Sequence, residues 1–417
     1  MNPAPTTLAA GIDAQIAELA QIDSDPIGAG VTREVFTDEY SRAIEYVTAL
    51  MRAAGLTVRL DAFGNLFGRL PGRNPEAPAV LTGSHFDTTL DAGRYDGVVG
   101  VLGAIEAVRR LGAEGWEPER PIEVVGFAGE EPRFGSGCIG SRAMVGTLSR
   151  DELDTMRDRH GVSIAEAMRS IGFDPDEVSG AKIDPEGIHA FVELHVEQGS
   201  VLEAAGVPVG VVTHIAAPHD LLVTVRGAAA HAGATPMRLR QDALAGAAEI
   251  MVELERGAIA SISGSTVATV GVAAVRPGAI NVIPGEVELQ VDIRDHDLAA
   301  RTAVVDSFLE AVESIAARRG LEFDVATITR DDPAACSPLV TAATRSACAD
   351  LGIACMDIVS GAYHDAMVLG AAVPIGMIFV PSRDGISHSP LEYTSPAEIE
   401  HGVRVLAQTL RTLTRPS

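Results

Sequence analysis

Residues 79–131 read AVLTGSHFDTTLDAGRYDGVVGVLGAIEAVRRLGAEGWEPERPIEVVGFAGEE. Two short apolar runs, Ala79–Thr82 and Ile122–Ala128, bracket a segment, Val98–Leu111, that reads as a helix. Near-continuous apolar strands alternating with helices predict a parallel or mixed sheet covered by helices on both faces, since such strands leave no face for water. Phe191–Val196 is a further strand of this kind, and Ile375–Val380 is another apolar run far downstream. Upstream, YSRAIEYVTALMRAAGL (40–56) carries apolar positions at helical spacing and a glycine stop signal at Gly55.

The pattern changes near residue 214. Leu221–Arg226 and Thr266–Val272 read as strands, and EVELQVDIR (286–294) alternates strictly. Val287, Leu289, Val291 and Ile293 share one face of that strand, while Glu286, Glu288, Gln290, Asp292 and Arg294 share the other. This is the signature of an antiparallel strand solvated on one side. Helices over Asp242–Glu255 and Ala299–Arg319 complete a two-layer α+β unit. From about Ser337 the earlier alternation returns, ending in a helix over Pro396–Leu413. The chain therefore reads as one α/β domain over 1–214 and 332–417, interrupted by a smaller α+β domain over 215–331.

With 47% hydrophobic and 21% charged residues, the composition is that of a globular protein with a substantial core. The formal net charge of −25 repels phosphate backbones and anionic membranes, so neither nucleic acid nor membrane is expected as a partner. An anionic substrate would need a local cationic site against that field. Cys138, Cys336, Cys348 and Cys355 show no C-x-x-C pairing and read as reduced, buried small residues. No apolar run is long enough to span a bilayer and no leader pattern opens the chain, so a cytoplasmic protein is expected.

Five short clusters fall at the ends of predicted core strands. They are GSHFDT (83–88), RYDG (94–97), GEE (129–131), ELHVEQG (193–199) and SHSP (387–390). Singly, each has an ordinary reading: His85 as a satisfied structural histidine, Asp96 as a helix cap, Glu130 and Glu131 as a surface pair. An aspartate two residues after His85 also suits a metal ligand whose second ring nitrogen is oriented by a carboxylate, here Asp87. Ligands bind beyond the carboxyl ends of strands in open α/β sheets. Three histidines and several carboxylates gathered at such ends point to a metal site. Mixed nitrogen and oxygen donors without cysteine suit Zn, Mn, Co or Ni and disfavour a structural zinc site.

With AHAGATPM (230–237) added, the ordered set resembles the hydantoinase/carbamoylase family of amidohydrolases. That group includes N-carbamoyl-L-amino acid, allantoate and ureidoglycolate amidohydrolases, within the di-metal aminoacylase–carboxypeptidase clan. The resemblance implies a di-metal exopeptidase-like α/β catalytic domain and an inserted dimerisation/lid domain. It implies His85, Asp96, Glu131, His195 and His388 as ligands of two divalent ions, with Asp96 bridging, and Glu130 as general base. It further implies His231 as an oxyanion-stabilising residue acting in the partner subunit of a homodimer, with Asn281 and Arg294 on the substrate carboxylate. Gln198, beside the ligand His195, is a further expected substrate contact.

The implied reaction splits the carbamoyl C–N bond of a small ureido-carboxylate, releasing ammonia and carbon dioxide. Deacylation of N-acyl amino acids or dipeptide cleavage on the same centre is an alternative, and a catalytically silent binding protein is another. Two positions depart from the carbamoylase pattern. Pro132 follows the glutamate pair, as in the ureidoglycolate branch, and Tyr363 replaces a glycine of SGAGHDA in the run SGAYHDA (360–366), which also places His364 near the pocket.

Overall fold

The computed structural model describes residues 11–25 and 27–415. Its strands run β1 (Thr57–Leu60), β2 (Leu66–Leu70), β3 (Ala79–His85), β4 (Ile122–Phe127), β5 (Ile188–Val196), β6 (Val209–Ile215), β7 (Ala217–Arg226), β8 (Ala230–His231), β9 (Val267–Arg276), β10 (Val282–Ile283), β11 (Glu286–Asp295), β12 (Glu322–Arg330), β13 (Ala334–Ala335), β14 (Cys355–Ser360) and β15 (Ile375–Val380). The chain forms two compact units. The first runs to Thr213 and resumes over Ala335–Ser360 and from His364; the second comprises His214–Ala334 and Gly361–Tyr363.

The first unit is built on a mixed sheet of order β1-β2-β4-β3-β5-β15-β6-β13, with β14 also paired to β6. β3 runs parallel to β4 and β5, and β15 parallel to β5. Every residue of β3, β4 and β15 is buried. Because successive side chains point to opposite faces, this burial requires cover on both faces, as the apolar runs predict. Helices Val98–Ala113 and Pro396–Leu413 share one core with these strands. The second of these opens at a Ser395 capping box closed by Glu398, with Pro396 in the first turn, where its missing N–H costs nothing.

Strand β3 is longer than its sequence suggests. Gly83, Ser84 and His85 remain paired to Val125, Gly126 and Phe127, so His85 is the last residue of the strand instead of lying beyond it. Gly83 makes this possible: its φ is 142°, and a Cβ there would lie 1.9 Å from the Val125 carbonyl oxygen. A second difference concerns the helix that follows. Its N-cap is Gly97, with φ 64°, so Asp96 lies one residue earlier and does not cap.

The second unit is a four-stranded antiparallel sheet of order β12-β7-β11-β9. Val287, Leu289, Val291 and Ile293 of β11 pack with Leu221, Val223 and Val225 of β7 into the core beneath helices Ala243–Ile259 and Leu298–Arg319. Asp242 and Asp297 cap those helices, each accepting two backbone N–H groups of the first turn. β9 forms one edge of this sheet, with Val267 and Val272 exposed. A two-residue ribbon pairs His231 of β8 with Val282 of β10. Residues 361–363 join this unit, and the Arg294 Nη1 group donates to the Gly361 carbonyl at 3.3 Å. Among the described residues, no helix is long and apolar enough to cross a membrane.

Candidate metal centre

Because β4, β3, β5 and β15 run in one direction, their carboxyl ends share one edge of the sheet. His85 ends β3, His195 is the penultimate residue of β5, and Glu130-Glu131 follow β4. The loop after β15 carries His388 with φ 52°. All of these converge on Asp96. The Asp96 Oδ1 atom lies 3.2 Å from His195 Nε2 and 3.7 Å from His85 Nε2, and its Oδ2 atom 3.1 Å from His388 Nε2. His388 Nε2 is also 3.4 Å from Glu131 Oε1. Three groups of three donors result: His85, Asp96 and His195; Asp96, Glu131 and His388; and Glu193, His195 and His364. Asp96 belongs to the first two.

Local structure dictates how these groups face. The His195 Nδ1 atom lies 2.8 Å from the Val196 carbonyl and His85 Nδ1 3.2 Å from that of Asp87. A carbonyl only accepts, so Nδ1 carries the proton in each ring and the Nε2 lone pair points at Asp96. Gly97 N–H donates to His195 Nε2 at 3.3 Å, as that tautomer requires. Gly97 must be glycine: a Cβ would sit 2.4 Å from His85 Nε2. Asp87 differs from the sequence expectation in detail. Its carbonyl, not its carboxylate, is the nearer partner of His85, whose Nδ1 lies 3.7 Å from Oδ1. The carboxylate accepts the backbone N–H groups of Glu130 and Glu131 at 3.4 and 3.1 Å, setting the path of that pair.

Lone pairs aimed at one another repel unless a proton or a cation lies between them. The Asp96 Oδ1 atom is buried with no hydrogen-bond partner. Burial, reinforced by Asp96, pushes Glu131 up to about 7. Burial likewise lifts Glu130 well above the usual carboxylate range, against the pull of His85. The hydrogen bond to Asp96 lifts His388 to about 9 against its partial burial. A surplus of buried acceptors that must hold protons in the absence of metal is the donor set a divalent cation satisfies, and the residues present fit one.

Around the donors lie further residues, of which His364 and Gln198 were expected near the pocket and Glu193 and Cys138 were not. Glu193 is fully buried and accepts Ser84 Oγ at 2.6 Å and Ala366 N–H at 3.2 Å. The lone acid of β5, two residues before His195, was the available signal. His364 stacks edge-on to His195 with ring centres 4.5 Å apart, its Nε2 2.9 Å from Ser360 Oγ; burial and His195 hold it well below the usual histidine range. Cys138 Sγ lies 3.7 Å from Glu130 Oε1. Gln198, at φ 57°, donates its amide to Asp96 Oδ2 at 2.7 Å and leaves its Oε1 buried without a partner.

The remaining expected site residues lie in the second unit. His231 and Asn281 are exposed, and the Asn281 carbonyl accepts Ala232 N–H at 2.9 Å. The Arg294 guanidinium grips Asp292, with Nε at 2.9 Å from both carboxylate oxygens and Nη2 at 2.8 Å. To bind a substrate carboxylate it would have to exchange that partner.

Residues 75–412 match the family described as Peptidase family M20/M25/M40, and the chain belongs to it. It is 45% identical over 397 residues to an N-carbamoyl-L-amino acid amidohydrolase of Geobacillus stearothermophilus, covering 95% of this chain and 96% of that one. A ureidoglycolate hydrolase of Arabidopsis thaliana is 43% identical over 412 residues, covering 97% and 86%. Among solved structures, a hydantoinase/carbamoylase family amidase from Burkholderia multivorans superposes with a TM-score of 0.90 at 37% identity, covering 97% and 98%. Within its family the chain thus stands among the hydantoinase/carbamoylase amidases, and it is a hydrolase of C–N bonds.

Proposed function

We propose that the protein is a di-metal amidohydrolase that cleaves the carbamoyl C–N bond of a small ureido-carboxylate. The convergence of His85, His195, His388, Glu131 and both oxygens of Asp96 carries this reading. The chemistry named for the amidohydrolase and hydrolase relatives supports it. Two divalent ions held by these five residues would supply Lewis acidity and lower the pKa of water towards neutrality.

Glu130 is the proton carrier. Its side chain is only 12% exposed, with Oε2 3.6 Å from His85 Nε2, and its backbone is fixed by Asp87 and by Cys138 N–H, which donates to the Glu130 carbonyl at 2.8 Å. Held at the edge of the donor set, the carboxylate takes a proton from the attacking water and returns it to the departing nitrogen, which cannot leave as an anion. Burial raises its proton affinity well above that of a surface carboxylate, which suits a base that must also act as an acid. The free Oε1 of Gln198 offers an acceptor to a ureido N–H. The test is ammonia release by metal-reconstituted protein across ureido acids and N-acyl amino acids. Ammonia with carbon dioxide from N-carbamoyl amino acids, ureidoglycolate or allantoate is expected. Turnover confined to N-acyl amino acids or dipeptides would move the protein to the deacylase and dipeptidase reading.

In this reading the protein is a homodimer in which His231 serves the partner's centre, with Asn281 and Arg294 on the substrate carboxylate. Strand β9 presents an unpaired apolar edge, and unpaired edges invite pairing with another chain. Met237, Leu239 and Ile280, near His231 and Asn281 in sequence, are exposed to 77%, 64% and 103%. Light scattering is expected to return twice the chain mass. A monomer of full activity would remove the role in trans.

A further inference from the structure

We propose that Glu392 is a positioning residue of the metal centre: it fixes the Asp96 loop against the His388 loop and takes the Ser387 hydroxyl proton away from Asp96. The inference rests on the two-ion reading above and concerns only how the chain prepares its bridging ligand. Glu392 is 5% exposed, and such a buried carboxylate is costly unless its oxygens are satisfied. Its Oε2 atom accepts the N–H groups of Tyr95 at 2.8 Å and Asp96 at 3.3 Å, across 296 positions of sequence in the second case. Its Oε1 atom accepts Ser387 Oγ at 2.9 Å.

The approach is built for this contact. A Cβ on Gly93 would meet Glu392 Oε2 at 1.9 Å, so only glycine lets the backbone pass. Glu392 N–H donates to the Ser389 carbonyl at 3.0 Å, a turn that folds the carboxylate back towards residues 95 and 96. Tyr95 and Tyr393 meet edge to face at 5.9 Å, and the Arg383 guanidinium lies 4.4 Å from the Tyr393 ring centre. The loop from Arg383 to Tyr393 carries His388 in a left-handed conformation at φ 52°, which a non-glycine residue keeps only where its surroundings over-determine it.

Ser387 adds a chemical role to the mechanical one. Its hydroxyl has one proton and two carboxylate oxygens in reach, Asp96 Oδ2 at 2.8 Å and Glu392 Oε1 at 2.9 Å. A proton donated to Asp96 Oδ2 competes with a cation for the same lone pairs. Glu392 gives that proton another destination, so that Asp96 Oδ2 keeps a lone pair for metal beside the one taken by the Gln198 amide at 2.7 Å. Outer partners of this kind typically contribute about 10–100-fold in metal affinity.

The experiment is a chelator titration of zinc-loaded protein, with bound metal counted by elemental analysis, for wild type, Glu392→Ala, Glu392→Gln and Glu392→Gln/Ser387→Ala. Wild type is expected to hold two ions per chain. Glu392→Ala is expected to bind at least one of them about 10–100-fold more weakly. Glu392→Gln keeps an oxygen for the backbone N–H groups, but its amide donates to Ser387 and turns the hydroxyl onto Asp96. It should therefore recover only part of the affinity, and adding Ser387→Ala should recover more. A merely structural role predicts the opposite, that the second substitution adds damage. Wild-type affinity in Glu392→Ala, or weaker binding in the double variant than in Glu392→Gln, would overturn the proposal. The two glutamine variants decide it even if the alanine variant does not fold. Wild type without two ions would sink the two-ion reading and this inference together, whereas two ions in wild type beside an unaffected Glu392→Ala would sink this inference alone.

Discussion

Replacing Glu130 with Gln is expected to leave both ions bound and to lower kcat by about 10²–10⁴-fold, the range that general acid–base catalysis contributes. The amide fills the same volume and keeps the backbone hydrogen bonds from Glu130 N–H to Asp87 and from Cys138 N–H to the Glu130 carbonyl. It cannot carry a proton. Glu130 is absent from all three groups of three donors, so metal content measured by elemental analysis should stay at the wild-type value. Should the variant turn over at near wild-type rate with its metal intact, the base is another group, and the buried Glu193 would be the next to examine.

Asp96→Asn is expected to do something different: to empty the centre. Asp96 joins the donor group of His85 to that of His388, and its two oxygens face different histidines. Despite burial, which by itself raises it, the neighbouring His195, His388 and His85 rings hold its carboxyl well below the usual range. An amide offers one neutral oxygen and a donor nitrogen. That nitrogen cannot coordinate a cation, and its N–H would occupy a ring lone pair that a metal needs. Affinity for both ions should fall by at least about 100-fold, exceeding what a supporting residue gives. Turnover should vanish with the metal and fail to return on adding excess zinc. Two ions retained in Asp96→Asn would remove the aspartate from the bridging position.

The contrast between these variants reflects what could be read in the chain. Apolar runs at 79–82, 122–128 and 375–380 located the strands, and the motifs after them located His85, Glu130, Glu131 and His388. That worked because parallel strands buried on both faces leave a strong apolar signal and place their carboxyl ends together. Boundaries were less visible: β3 extends to His85 because Gly83 admits close pairing, and β7 begins at Ala217, four residues before its most apolar part. Glu392 and Ser387 were illegible, since a serine and a glutamate in a polar loop look the same whether solvated or turned inward. The Arg294–Asp292 pair was in principle readable, because residues two apart on a strand share a face. Nothing local marks Gln198 as a partner of Asp96, a contact set by a left-handed turn just beyond β5.

Strand β15 lies between β5 and β6, yet more than one hundred and fifty residues separate it from either of them along the chain. A ribosome that has passed residue 334 has released enough polypeptide to close the four-stranded antiparallel sheet with its two helices. At that moment the larger sheet still lacks an interior strand, and β5 carries an open edge of unpaired backbone groups until residue 380 emerges. Such edges are adhesive. Stalling of synthesis between positions 334 and 375 is therefore expected to yield aggregates, read by sedimentation, and not a metal-free enzyme.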